Sequence, residues 1–478
     1  MKQLKPQDAQ FLYMETENNL SNVTMICVYT PPETPVQTQV DYDPLAAISS
    51  QLQKRLPLST IFTHRIKSVA MNLDYPYWEK DPHFQFENHL SRVNAAAPGD
   101  RAALNKAAAN FHSRPLDLRR PPWEAQIVTG LDNIDNLAVG SFALLIKLHH
   151  AAIDGTAAMQ LFLGLHDSSP EPTTSPINVG NVPEQHPYPS RQQLLRKARE
   201  NYLQAPVKAA NRIIRQLKSM RGTKTHTDLV PPVKKPPVPK TRFNQAVSPE
   251  KKLVTHSFPL DQVKLLRGLC AGATLNDIIL GICSGALNRY LSHHQELPNI
   301  PLVAWVPINA RRPGDAADAA DDGNNISAMA INLASQISDP IERLQLIVAT
   351  TQEAKAARTG TAARMVTDLS QELPSVGMAA FTKLLLASGV TGKICNLAVS
   401  NVPGPTAPLF LKGAQCREQY GMVPLGDNMG LFFVVMSYNG SLNISITTTE
   451  AILPDDTFMV NCLQEEFTLL NQRLNSGK

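Results

Sequence analysis

The chain has no run of ~18 uninterrupted apolar residues, so no segment reads as a membrane-spanning helix. Its start, Met1-Lys2-Gln3-Leu4-Lys5-Pro6-Gln7-Asp8, lacks the apolar region of a signal peptide, and a cytoplasmic protein is expected. Cys-x-x-Cys spacing is absent: Cys27, Cys270, Cys283, Cys395, Cys416 and Cys462 are scattered. That excludes a zinc knuckle or disulfide framework and predicts reduced, mostly buried thiols. There is no Gly-x-Ser-x-Gly elbow, the mark of a strained nucleophilic serine, and no His-Glu-x-x-His metal pair.

What is present is a long globular chain. At 478 residues, 43% of them hydrophobic, it is too long for one ordinary core and predicts two domains of roughly 200 residues each. Strand-like runs at Val23 to Tyr29, Ala138 to Leu148, Leu302 to Val306, Gly430 to Tyr438 and Leu442 to Thr448 alternate with longer helical ones. Two α/β halves follow. Pro-rich stretches over 167–176 and 230–240 divide them, giving an N-terminal lobe over 1–170, a linker over 171–245 and a C-terminal lobe over 246–478.

The linker concentrates charge. Between Ser190 and Arg221 stand nine basic residues and one acid, a net of +8 against +4 for the whole chain. Apolar residues recur at helical spacing on both sides of Pro206, predicting two basic amphipathic helices. Such a pair fits an anionic lipid surface, or else a solvated face of its own domain. Nucleic acid is not expected, because the patch carries a single aromatic and matches no nucleic-acid module.

One motif carries chemistry. In the strand-like run ending at Leu148, the even positions Phe142, Leu144, Ile146 and Leu148 are large and apolar and share one face. His150 has that parity, whereas His149 shares its face with Lys147. If the strand stays regular to its end, His150 points into an enclosed space. A neutral imidazole there can take a proton from an alcohol. Asp154 and Gly155 then make a turn before a helix restarts at Thr156. A histidine pair on a strand end is also often purely structural, and two His with an Asp are legitimate metal ligands. Adjacent strand residues face opposite ways, however, so His149 and His150 do not readily share one ion.

Several separated stretches then converge on one family. Leu4-Lys5-Pro6-Gln7-Asp8-Ala9-Gln10-Phe11-Leu12, His149-His150 with Asp154-Gly155, Asn276-Asp277, Val306-Pro307-Ile308-Asn309-Ala310-Arg311-Arg312, Gly323-Asn324-Asn325-Ile326-Ser327 and Ser400-Asn401-Val402-Pro403-Gly404-Pro405 occur in order along nearly the whole chain. Together they resemble the bacterial wax ester synthase/acyl-CoA:diacylglycerol acyltransferase family. Pro121-Pro122-Trp123 departs from the family's usual Pro-Leu-Trp, so chain-length preference is not carried over.

The resemblance implies two α/β lobes of the CoA-dependent acyltransferase type, forming a pseudodimer around a central tunnel with His150 midway along it. It implies transfer of a fatty acyl group from acyl-CoA to a long-chain alcohol or a diacylglycerol. Acyl-CoA would be a co-substrate, with no metal and no further cofactor. The enzyme would be cytoplasmic, resting peripherally on membrane or lipid inclusions. His150 and its neighbour His149 would form the catalytic centre. Asp154 would hold the local backbone, with Arg311 and Arg312 as candidate partners. Trp123, Gly155, Asn276, Gly323 and Asn324 are the positions expected near substrate. Asn276 suits an oxyanion donor, or equally a cap for the helix near Asp277. Gly323 to Asn325 allow close backbone approach or form a polar loop, and Ser400 to Pro405 read as a rigid turn. Two other readings stay open: a lipid-binding or inclusion-coat protein without transferase activity, and the same fold acting on a non-lipid acceptor.

Overall fold

The computed structural model describes residues 2–32, 42–153, 155–171, 192–203, 237–309, 326–356 and 373–476. The helices used below are α1 Pro6–Met14, α2 Pro44–Arg55, α3 Arg101–His112, α4 Gly155–Leu165, α5 Leu260–Leu265, α6 Leu275–His293, α7 Pro340–Ala356, α8 Ser375–Ala387 and α9 Asp456–Ser476. Their starts are legible in the chain. Asp43 caps α2 by accepting from Leu45 and Ala46 N–H, and Asp100 caps α3 through Ala103 N–H. At α6 Thr274 and Asp277 form a reciprocal capping box, which leaves Asn276 with no capping role.

Fourteen strands are described: β1 Asn22–Thr30, β2 His64–Lys67, β3 Tyr77–Lys80, β4 Leu90–Asn94, β5 Trp123–Thr129, β6 Phe142–His149, β7 Lys252–Pro259, β8 Val303–Asn309, β9 Ile326–Asn332, β10 Leu397–Pro403, β11 Phe410–Leu411, β12 Ala414–Met422, β13 Phe432–Tyr438 and β14 Ser441–Thr448. One six-stranded sheet has the order β11-β12-β1-β6-β5-β4 and the other β7-β14-β13-β10-β8-β9, while β2 and β3 pair alone. The first sheet thus takes two strands from beyond residue 400. Cutting the chain at 246 separates segments of sequence but not the two sheets.

The crossover begins where a turn was expected. Ser400 to Pro403 are strand, paired in parallel with β13, and only Gly404 leaves the ladder. A Cβ on Gly404 would lie 2.4 Å from the Ser437 carbonyl oxygen, so the chain passes too close to β13 for a side chain. Beyond it β12 pairs with β1 and also meets the second sheet. Gly421 N–H donates to Ser445 Oγ at 3.1 Å and Val423 N–H to Thr447 Oγ1 at 3.3 Å, stitching the lobes together.

Strand β6 is buried on both faces. Its even positions join Cys27, Trp123, Ile127 and Phe162 in one apolar cluster, and Ala143 and Leu145 pack with Leu104, Ala108 and Phe111 of α3 in another. Lys147 does not mark a wet face. Its ammonium is buried and donates to the Phe111 and Arg114 carbonyls at 3.0 and 2.9 Å, neutralising the carbonyl end of α3, with Glu124 at 3.2 Å.

Two buried imidazoles set an acid limit on this fold. Burial, with the Lys147 and Lys251 ammoniums adding to it, pushes His112 down to about 3. Burial pushes His166 down to about 4, against the raising effect of the Phe162 carbonyl it binds. His166 Nδ1 donates to that carbonyl at 2.8 Å and Nε2 accepts from the Tyr29 hydroxyl at 2.6 Å, an arrangement only the neutral ring permits. Below their unfolded value of 6.5 the unfolded chain binds protons that the fold refuses, so stability falls as pH drops from 6.5 towards 4. Each ring contributes up to about 1.4 kcal/mol per pH unit there. The melting temperature is expected to decline from pH 6.5 to 4.5, and His112→Gln to flatten that slope; an unchanged slope would place the acid sensitivity elsewhere.

Candidate active site

The end of β6 is clamped between two neighbouring chains. His149 N–H donates to the Pro122 carbonyl at 3.0 Å on the β5 side, and His150 N–H donates to the Ser21 carbonyl at 2.7 Å on the β1 side. The strand stops at His149, and His150 opens a one-turn 3-10 helix, His150–Ala152. Strand parity therefore does not reach His150, and the reason for distinguishing the two rings is different from the one the alternation suggests.

That reason is what each ring already touches. His149 is 1% exposed, and its Nδ1 accepts the Ala151 N–H at 3.0 Å, so the ring caps the turn that follows it. Its Nε2 lies 3.2 Å from Glu15 Oε1, within charge-pairing distance although not aligned as a hydrogen bond. Glu15 Oε1 also accepts the Ser21 N–H at 2.9 Å, and Ser21 Oγ donates to the Phe11 carbonyl at 2.7 Å. His150 is half-buried with Nδ1 inside, and its ring stacks on Phe11 at 3.9 Å between centroids and 12° between planes. His149 thus caps the turn with its ring, and His150 keeps part of its ring accessible against Phe11.

The other expected positions distribute differently. Trp123 is buried, donates its indole N–H to the Phe62 carbonyl at 3.1 Å, and stacks on His89 at 4.5 Å, edge-on to Phe62. It is a core pillar beside the clamp, not a residue facing substrate, because its ring and N–H are fully occupied. Asn276 is the second residue of α6, half-buried, with no hydrogen bond from its amide among the described residues. Gly155 opens α4. Asp154, Gly323, Asn324, Arg311 and Arg312 lie outside the described residues. No group of three or more His, Cys, Asp or Glu that could hold a metal occurs among the described residues, and all six cysteines are free.

Sequence reading gave no role to Phe11, Glu15 or Ser21. Their link to the histidine pair is made only by the tertiary fold, and no local pattern announces it. It is testable. His149→Ala is expected to loosen the turn and lower turnover by about tenfold while leaving activity measurable. Glu15→Gln, which keeps an acceptor for Ser21 N–H, is expected to cost less. Loss as complete as that from removing His150 would contradict a positioning role for His149.

Comparison with known proteins gives the site its context. The wax ester synthase/diacylglycerol acyltransferase catalytic-domain model matches residues 4–279, and the C-terminal-domain model of the same family matches 322–471. A putative diacylglycerol O-acyltransferase of Mycobacterium tuberculosis is 30% identical, over 95% of this chain and 87% of that protein. Among solved structures, the wax ester synthase/diacylglycerol acyltransferase of Marinobacter aquaeolei superposes with a TM-score of 0.70 at 23% identity, covering 99% of this chain and 100% of that one. A condensation domain of the calcium-dependent antibiotic synthetase shares the fold at a TM-score of 0.53 and 13% identity, over 98% and 94%. The two sheets with a histidine at the end of β6 are therefore the two lobes of the CoA-acyltransferase type. With both domain models matched in order across the chain, this protein belongs to the wax ester synthase/diacylglycerol acyltransferase family of O-acyltransferases.

Proposed function

We propose that this enzyme transfers a fatty acyl group from acyl-CoA to the hydroxyl of a long-chain alcohol or a diacylglycerol, with His150 as the general base. The observation that carries the assignment is the placement of His150: its half-buried ring stacks on Phe11 at the start of a turn whose backbone is pinned from both sides, by the Pro122 carbonyl at His149 N–H and the Ser21 carbonyl at His150 N–H.

A thioester carbonyl is already activated, and an alcohol is barely ionised at neutral pH, so the missing element is a base. His150 Nε2 takes the hydroxyl proton as the oxygen attacks the carbonyl carbon. The C–O bond forms, the C–S bond breaks, and the proton passes to the departing CoA thiolate. No covalent enzyme intermediate and no cofactor beyond acyl-CoA enter this scheme. Phe11 restricts the imidazole to one plane, and its π face favours the positive charge that develops on the ring. Asn276 is proposed as an oxyanion donor, supported by an amide that capping leaves unspent. Asp154 and Gly155 are assigned to the backbone turn behind His150, and Gly323 and Asn324 to substrate approach.

The acceptor's insolubility implies a peripheral association with membrane or lipid inclusions on the cytoplasmic side. No described helix is long and apolar enough to cross a membrane. The test incubates purified protein with palmitoyl-CoA and either hexadecanol or a diacylglycerol and separates the products. Ester formed with one or both acceptors supports the reading and ranks them. Folded protein that forms neither would favour a non-lipid acceptor or a binding protein.

A further inference from the structure

Helix α8 has two faces with opposite fates. Ser375, Met378 and Thr382 are buried against the N-terminal lobe, where Met378 shares a cluster with Ala151 of the His150 turn and with Leu4, Ala9 and Ile66. Ser375 Oγ lies 2.6 Å from the Tyr13 hydroxyl, and the Tyr75 hydroxyl donates to the Leu373 carbonyl at 2.7 Å. The outer face carries Val376, Phe381, Leu384 and Leu385, with Leu384 70% exposed, and Lys383 is the helix's single charged residue.

Two further elements extend this surface. The 3-10 turn Ala70–Asn72 packs on α8 and holds Met71 82% exposed, with Leu73 beside it. The flanking residues Val69 and Tyr77 bind the helical stretch over 192–203 through Leu194 and Ala198. Lys197 Nζ stands 5.6 Å from the Tyr77 ring centre, and Asn201 Nδ2 donates to Asp74 at 2.8 Å. That stretch exposes Tyr202 and Leu203 and carries Arg196, Lys197 and Arg199 against Glu200, which accepts from Arg196 Nε at 3.1 Å, so the flank keeps a net positive charge. The three elements thus meet around residues 69–77 and present large apolar side chains beside a cationic flank.

We propose that α8, the turn 70–73 and the helical stretch 192–203 form one docking surface for an anionic lipid layer, inserting Met71, Leu384, Leu385 and Phe381 while Arg196, Arg199 and Lys383 meet the headgroups. Apolar insertion and cationic attraction reinforce one another at such an interface, and the charge is what separates a lipid layer from a neutral apolar partner. The inference rests on the lipid-acceptor reading and deepens it. Because α8 packs on α1, which in turn packs on the His150 turn, the docked surface lies on the same side of the lobe as the reacting centre.

The test is flotation of purified protein with vesicles of mixed phosphatidylglycerol and phosphatidylcholine and with phosphatidylcholine alone. Wild-type protein is expected to float with the anionic vesicles and far less with the neutral ones. The triple variant Phe381→Ser, Leu384→Ser, Leu385→Ser and the triple variant Arg196→Gln, Arg199→Gln, Lys383→Gln are each expected to lose about tenfold or more in binding. Both should keep their melting temperature and their turnover on detergent-dispersed acceptor. Undiminished flotation of either variant overturns the proposal, as does equal binding to neutral vesicles. A concentration-dependent dimer that the serine variant dissolves, without vesicle binding, would assign the face to a second copy of the chain. Flotation needs no catalysis, so wild-type protein that floats but forms no ester would refute the lipid-acceptor reading and leave this surface standing.

Discussion

Replacing His150 by alanine is expected to lower turnover by ~10²- to 10⁴-fold, the range that general-base assistance supplies. Stability should hardly change. The ring is half-buried, and its stack on Phe11 is worth about 0.5–1.5 kcal/mol. The turn itself is held by backbone and by His149, neither of which the substitution touches. Initial rates and thermal melts on the same preparation check both halves. A variant that melts like wild type and turns over normally would remove His150 from the reaction; one that unfolds would make it structural.

The largest effect on stability is expected far from this site, in the second lobe. Arg343 on α7 and Glu466 on α9 are 2% and 1% exposed and pair directly through Nη2 and Oε1. Arg343 Nη1 also donates to the Ile337 carbonyl at 2.6 Å, and Arg289 of α6 approaches Glu466 Oε2 at 3.5 Å. Gly285 makes the pocket possible, since a Cβ there would lie 2.0 Å from Glu466 Cδ. Arg343→Met strands a buried carboxylate and should cost about 3–5 kcal/mol of unfolding free energy. Adding Glu466→Leu removes that charge and should recover much of the loss. Chemical denaturation measures both. A single variant within about 1 kcal/mol of wild type would mean that Arg289 or penetrating water suffices for Glu466.

Much of this molecule is legible one element at a time. The alternation before Leu148 and the runs at Val23 to Tyr29 and Leu442 to Thr448 are local, because their period closes within a few residues, whereas the helix start near Asp277 is capped by Thr274 and Asp277 rather than by Asn276. The histidine motif is legible too, but not its geometry. Parity suggests a wet side at Lys147, whereas the ammonium is drawn inside by α3 carbonyls that alternation along β6 cannot reveal. The same limit hides Glu15 and Phe11, which reach the histidines only after α1 has docked. Ser400 to Pro403 read as a turn because proline and asparagine favour one, yet parallel pairing with β13 overrides that preference. The passage of 410–422 into the first sheet is a fact of topology, with no residue in those strands to announce it.

The central claim is direct, base-assisted attack of the acceptor hydroxyl on the thioester. It is tested by mixing enzyme with palmitoyl-CoA alone, following free thiol and intact-protein mass, and then adding acceptor. The account predicts no burst of thiol and no acylated protein before the acceptor is added, then continuous release that is lost in His150→Ala. One thiol released per enzyme without acceptor, together with a protein mass raised by one acyl group, would contradict it.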